Sequence, residues 1–161
     1  MPDGVIAPED PRAEDIRQLL AQHLAYARTH SPPEDVHALE LEGLLDPSVS
    51  FFSYRLDGEL LGVGAIRRLD VRHAEVKSMH TASSARGRGI GRALVEHIIR
   101  TARLHGFLRL SLETGSMPAF APARSLYASV GFAVCPPFDR YTASPNSVCM
   151  TLLLAEHYPG N

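Results

Sequence analysis

Residues 79–94 read Met79-His-Thr-Ala-Ser-Ser-Ala-Arg86-Gly87-Arg88-Gly89-Ile90-Gly91-Arg92-Ala93-Leu94. A strand-like run enters an Arg/Gly-rich loop and leaves it as a long helix. The first turn of a helix leaves backbone N–H groups without partners and carries about half a positive charge. Glycines let a ligand approach that backbone closely and permit loop conformations closed to other residues. Together these features describe a phosphate cradle. Arg86, Arg88 and Arg92 can add charge-assisted bonds around it. An ordinary helix capped by a Gly-rich turn would also have this local sequence.

Three phosphate-loop patterns compete. A P-loop needs Gly-Lys-Ser/Thr at the helix start, but the chain's sole lysine is Lys77. A Rossmann loop needs G-x-G-x-x-G, and here Gly91 is followed by Arg92, with no alternating strand–helix units around it. The third pattern, Arg/Gln-x-x-Gly-x-Gly/Ala, matches Arg86, Gly89 and Gly91 and resembles the pyrophosphate loop of the GNAT superfamily of acyl-CoA N-acyltransferases. Further on, Leu126-Tyr127-Ala-Ser-Val-Gly131-Phe132 resembles that family's L-Y-x-x-x-G-F signature, in the family's order and at about its usual separation. The stretches Glu75–Thr81, Leu112–Met117, Phe120–Arg124, Pro137–Tyr141 and Pro145–Met150 are similar to a subgroup of small bacterial members. One departure is Phe120, which stands seven residues before the signature Tyr, where the family often has an Asn that bonds the pantetheine arm.

The resemblance implies a cofactor, acetyl-CoA, and a set of residues to hold it. Peptide groups near Met79 and Thr81 would bond the pantetheine amides. Arg86, Gly87, Arg88, Gly89, Ile90, Gly91 and Arg92 would surround the pyrophosphate, and Ala123 and Tyr127 would lie along the arm. A free strand N–H close to Met79 or His80 would face the thioester oxygen. Tyr127 is the implied acid for the departing thiolate. For the base that relieves the attacking amine of its proton, Glu75 is the first candidate. On an ideal strand Glu75 shares a face with Lys77, Met79 and Thr81, though Glu75 and Lys77 would equally make a structural ion pair. His80 points to the other face, and a bulge would re-aim it. The expected acceptor pocket contains Tyr26, His37, Glu113, Phe138 and Tyr141, each of which also has an ordinary packing role open to it.

The elements that must position these residues follow from periodicity. Val5–Ala7 is a short strand. Ile16, Leu19, Leu20, His23, Leu24 and Ala27 recur at helical spacing within Pro11–Ala27, and Pro32-Pro33 ends that helix. A second helix is expected over Asp35–Leu45. Phe51–Leu56 and Leu60–Leu69 are strands joined by Asp57-Gly58, a tight-hairpin dipeptide. Ala74–Ala82 is the next strand. Gly89–His105 is the clearest helix, with Ile90, Leu94, Val95, Ile98, Ile99 and Ala102 in one stripe and Gly106 as its stop. A strand at Phe107–Glu113, a helix at Ala121–Val130 ended by Gly131, and strands at Phe132–Cys135 and Val148–Leu154 complete the order. The order implies an α/β layer fold. The resemblance sharpens it to the GNAT fold: a mixed, mostly antiparallel central sheet of six to seven strands, splayed at the cofactor cleft and flanked by about four helices.

Composition narrows the classes. The 161 residues are 45% hydrophobic and 21% charged, which suits one domain, residues 1–161. Sixteen basic against 18 acidic residues give a formal charge of −2, so no broad field draws in nucleic acid or an anionic membrane. No apolar run reaches the ~18 residues of a membrane span. The N-terminus lacks a basic start and a long apolar run, so a cytoplasmic enzyme is expected. Cys135 and Cys149 fit no C-x-x-C pattern and read as reduced thiols, and no cluster has metal-ligand spacing. The expected protein is thus an N-acetyltransferase for a primary amine of a small molecule or peptide, acting in a ternary complex, with homodimers common among relatives. Two alternatives stay open at this level: a non-catalytic acyl-CoA-binding module of the same fold, and a dinucleotide oxidoreductase.

Overall fold

The computed structural model describes residues 4–35 and 41–154. Its elements in chain order are β1 (Val5–Pro8), α1 (Glu14–His30), a single turn α2 (Leu41–Leu44), β2 (Val49–Leu56), β3 (Glu59–Arg68), β4 (His73–Thr81), α3 (Ile90–Leu104), β5 (Arg109–Gly115), α4 (Ala121–Ser129), β6 (Ala133–Cys135) and β7 (Ser147–Leu153). The seven strands form one sheet in the order β1-β2-β3-β4-β5-β7-β6. Every neighbouring pair is antiparallel except β4 with β5. Apart from the second helix, the expected strands and helices are present, with ends shifted by a few residues. The helix expected over Asp35–Leu45 is a 3-10 turn at Pro33–Asp35 and the turn α2, and residues 36–40 between them lie outside the described residues.

The helices split between the two faces. Ile16 and Leu19 of α1 and Leu44 of α2 bury against Phe51, Val63 and Ala65 on one face. On the other face, all six stripe residues of α3 are buried, mostly against Ala74, Val76, Leu110, Leu112 and Met150. Each large side chain so buried is worth roughly 1.5–3 kcal/mol, which is why a helix with no side-chain N-cap still sits firmly. Asp57 and Gly58 both take positive φ, +51° and +81°, the pairing that a tight type I′ hairpin turn requires. Arg55 of β2 ties β1's exit to α1. Its guanidinium donates to Glu9 at 2.7 and 2.8 Å and to Asp15 at 2.7 and 3.0 Å.

Two irregularities make the site. First, β4 and β5 pair only at His73–Glu75 with Arg109–Ser111 and then separate. β5 continues to pair with β7 as far as Gly115, so the sheet opens into a V. Secondly, β4 carries a bulge against β3: Ala65 faces Lys77 but Val63 faces His80. Ser78 takes φ +57° there. Three residues of β4 advance against two of β3, so the alternation of faces inverts beyond Ser78. The sequence carries a trace of this in Gly64, where an added Cβ would stand 2.6 Å from Met79 Sδ.

Candidate active site

The loop after β4 forms a 3-10 turn at Ser83–Ala85, runs extended at Arg86, and enters α3 through Gly87 and Gly89. Both glycines sit at left-handed φ, +78° and +79°, with nothing within 4 Å of an added Cβ. These positions therefore demand glycine for conformation and leave open space in front of the backbone. Ala93 N–H closes the first helical bond to Gly89, so the amides of Ile90, Gly91 and Arg92 are the unpaired first-turn donors. This is the geometry a diphosphate needs.

In front of the loop, the V between β4 and β5 forms a cleft of about 730 Å³. Its walls are β4 from Val76 to Thr81, β5 from Leu112 to Gly115, the loop and start of α3, and Ala123, Leu126 and Tyr127 of α4. α1 closes it from the other side with His23, Tyr26 and Ala27. Tyr26 bridges the cleft by donating its hydroxyl to Ala119 O at 2.9 Å, and the Arg86 guanidinium stacks 5.5 Å over its ring. Phe120 packs edge-on against Tyr26 with ring centres 5.7 Å apart. The residue in the Asn position is therefore an aromatic wall.

Of the expected cofactor residues, Met79, His80, Thr81, Arg86, Gly87, Gly89, Ile90, Gly91, Arg92, Ala123 and Tyr127 all line this cleft. Arg88 is exposed and its side chain does not. Arg92 donates to Ser129 Oγ at 2.6 Å, which joins α3 to α4 beside the cleft. Tyr127 is 7% exposed and packs edge-on against Phe132. Burial drives its phenol well above the usual tyrosine range, so it keeps its proton at neutral pH.

The acceptor side departs further from expectation. Tyr26 and Glu113 line the cleft, and His37 lies outside the described residues. Phe138 and Tyr141 do not line it. They sit over the His73–Lys77 half of β4, Phe138 buried against the rings of His73 and Tyr141. Glu75 also differs from its expected place. The bulge sends Met79 and Thr81 to the α3 face, so Glu75 shares its face with Lys77 and His80 instead. Glu75 is 0% exposed and is not a cleft residue. Tyr141 donates a short hydrogen bond to its Oε2, Lys77 Nζ donates to Tyr141 Oη at 2.9 Å, and Arg67 Nη1 lies 3.6 Å from Oε1. It is the centre of a buried ionic cluster. Burial draws the Lys77 ammonium below the ordinary lysine range, against the opposing pull of Glu75 and Glu113.

Sequence reasoning missed His23, Lys77 and Asp35 as cleft residues. His23 did carry a signal, a polar ring within the apolar stripe of α1. His23 and His80 meet across the cleft with ring centres 5.1 Å apart and planes inclined at 54°. Burial lowers both imidazoles to about 4, helped at His23 by the His80 and Lys77 charges and at His80 by Arg86. Asp35 is held by Ser144 Oγ at 3.0 Å and Asn146 Nδ2 at 3.3 Å, which moors the β6–β7 loop to the end of α1. At that loop's base Cys135 and Cys149 stand opposite each other in register, both as free thiols.

Comparison with known proteins agrees with this architecture. A model of the acetyltransferase (GNAT) family matches residues 13–132. The chain is 46% identical over 143 residues to an uncharacterised N-acetyltransferase, YsnE, of Bacillus subtilis, covering 89% of this chain and 95% of that one. It is 38% identical over 152 residues to an IAA acetyltransferase of Azospirillum brasilense, covering 93% and 97%. Its fold superposes with a TM-score of 0.71 on a GNAT family acetyltransferase from Elizabethkingia anophelis solved with acetyl-CoA bound, at 18% identity and 94% and 99% coverage.

Proposed function

The chain belongs to the GNAT family of acetyltransferases, and from that premise we propose that it transfers an acetyl group from acetyl-CoA to a primary amine of a small molecule or peptide, by direct attack within a ternary complex. That it is an acetyl-CoA-dependent acyltransferase follows from the family. The acceptor class, the order of events and the residue roles are our reading. The observation that carries it is the joint placement, on one cleft, of the glycine cradle, the unpaired edge of β4 and the Tyr127 phenol.

When bound, acetyl-CoA supplies an acyl group already activated as a thioester. The chain's own groups then have separate tasks. The amides of Ile90, Gly91 and Arg92 grip the diphosphate, with Arg86 and Arg92 adding charge. Among the described residues β4 has no partner strand on its β5 side beyond Glu75, so its outward peptide groups are free to bond an extended pantetheine arm. At the bulge the β3–β4 ladder skips Ser78 and Met79. An N–H there is the donor we assign to the thioester oxygen, and one such donor is worth about 3–4 kcal/mol of barrier. Tyr127, protonated at neutral pH, gives its proton to the leaving sulfur. α1, Tyr26 and Phe120 exclude water from the reacting end.

The acceptor enters between α1 and β5, where Glu113 and Asp35 place acidic groups that suit a cationic amine. The reading places the enzyme where acetyl-CoA is made and used, in the cytoplasm, and no described helix is long and apolar enough to cross a membrane. The test is release of free CoA thiol from acetyl-CoA with a panel containing 2-phenylethylamine, spermidine, free amino acids and an alanine-ended peptide. Amine-dependent release with at least one member is expected. Tight acetyl-CoA binding with no release across the panel would refute amine transfer.

A further inference from the structure

Glu75 is sealed behind Lys77 and Tyr141 and does not line the cleft, so the base expected from the sequence is out of the acceptor's reach. Lys77 lines the cleft, but its ammonium is already donating to Tyr141. We propose that His80, brought by the Ser78 bulge onto the α1 face, is the catalytic base for the attacking amine, and that His23 is the positioning residue that dries and orients its ring. The proposal rests on that reading and adds to it.

The geometry is specific. A regular β4 would turn His80 toward α3; the extra residue at Ser78 turns it toward α1, where the ring of His23 meets it at 5.1 Å. Both imidazoles border the cleft. The bulge that would free an N–H for the thioester oxygen is thus one or two residues from the ring, so acyl carbon and base are brought together by a single backbone irregularity. Among the described residues, the charged and titratable groups that line the cleft with the pair are Lys77 on β4, Arg86 and Arg92 around the loop, Tyr26 on α1, Asp35 beyond it, Glu113 across the cleft on β5 and Tyr127 on α4. Beyond burial, Arg86 opposes a positive charge on His80, and His80 and Lys77 oppose one on His23. The pair therefore rests neutral at physiological pH, with a ring nitrogen free to accept a proton. His80 needs little basicity in water for this. An amine N–H becomes far more acidic once the nitrogen lone pair is committed to the new C–N bond.

The proton balance closes. An acceptor that arrives as an ammonium first releases one proton to water; its nitrogen then bonds the acetyl carbonyl carbon and yields a second proton to His80. The C–S bond breaks with its electron pair going to sulfur, Tyr127 protonates that sulfur, and the imidazolium loses its proton to water while Tyr127 regains one. Amine and acetyl-CoA become amide and free thiol, and both side chains return to their starting forms.

The experiment begins with calorimetric titration of CoA into wild type, His80→Ala and His23→Ala. The wild type is expected to bind, and both variants to keep its circular dichroism spectrum. Failure of the wild type would sink the acetyl-CoA reading, whereas normal binding isolates the histidine claim. With 2-phenylethylamine as probe, His80→Ala should lose about 100- to 10,000-fold in kcat, and 50 mM imidazole should restore part of it. Full turnover in that variant, or a loss that imidazole does not relieve, overturns the proposal. Independently of any acceptor, imidazole NMR of the CoA-loaded protein should show His80 neutral down to about pH 5. In His23→Ala water reaches the ring, and its midpoint should rise toward 6.5. A His80 midpoint near 6.5 in the wild type, or one that His23→Ala does not move, also overturns it.

Discussion

Gly91 sits in the first turn of α3, where the cradle meets α4. An added Cβ would lie 3.2 Å from Leu126 Cδ2 and 3.7 Å from Thr81 Oγ1. Gly91→Ala therefore asks Leu126 to give way by a few tenths of an ångström. Gly91→Gln fills the same gap with a longer neutral chain, and Gly91→Glu adds a negative charge to it. Two unit charges 4 Å apart repel by about 1 kcal/mol in bulk water and about 4 kcal/mol at the effective dielectric of a protein surface. A diphosphate presents two such charges to the new carboxylate, so the electrostatic loss alone is at least about 2 kcal/mol, roughly thirtyfold in Kd. Calorimetric titration of CoA, on variants checked for folding by circular dichroism, separates the contributions. Gly91→Ala should cost less than tenfold, and the step from Gln to Glu at least about thirtyfold. That step should shrink as salt rises from 0.05 to 0.5 M, because exposed charges are screened. A folded Gly91→Glu that binds CoA as tightly as Gly91→Gln would show that no diphosphate occupies this turn, and the mechanism would fall with it.

Gly89→Ala meets no atoms but must hold a left-handed backbone, so it should lose about 1–2 kcal/mol of stability, a fall in Tm of a few degrees by calorimetry. Tyr127→Phe should lower kcat about a hundredfold with CoA affinity within a few-fold of wild type; full turnover would remove the phenol from the proton scheme. Tyr141→Phe deprives the buried Glu75 carboxylate of its hydrogen bond and should cost about 1.5–3 kcal/mol in urea unfolding while leaving CoA affinity alone. Acid should destabilise the fold in two stages, read as urea midpoints against pH. His23 and His80 are held near 4 when folded against 6.5 unfolded, so the unfolded chain takes up protons that the folded chain refuses, and stability falls from pH 6.5 toward 4. Arg55 lowers Glu9 and Asp15 below their ordinary values, so their contribution is present above about pH 4.5 and is lost as pH falls through the depressed range. His80→Gln should flatten the first stage and Arg55→Met the second.

What could be read from the sequence alone was whatever a few neighbouring residues determine. The cradle is of this kind: Arg86-Gly87-Arg88-Gly89 must turn through left-handed backbone and open a helix, and that follows from local conformational freedom. The α3 stripe is another, because a 3.6-residue period fixes which six side chains a helix can bury together. The Asp57-Gly58 turn and the stop at Gly106 belong to the same class. The site's second half depended on pairing between distant strands. One extra residue at Ser78, against Gly64 of β3, reversed the facing of everything after it. That exchanged Met79 for His80 on the α1 side, while Glu75, ahead of the bulge, is enclosed by Arg67, Lys77 and Tyr141, which come from two strands and the β6–β7 loop. A strand's alternation holds only while its register does, and register is set by the partner strand and the packed helix. The identity of the group bordering the cleft was therefore a tertiary decision, whereas the loop we propose as the cofactor cradle was already written in its own dozen residues.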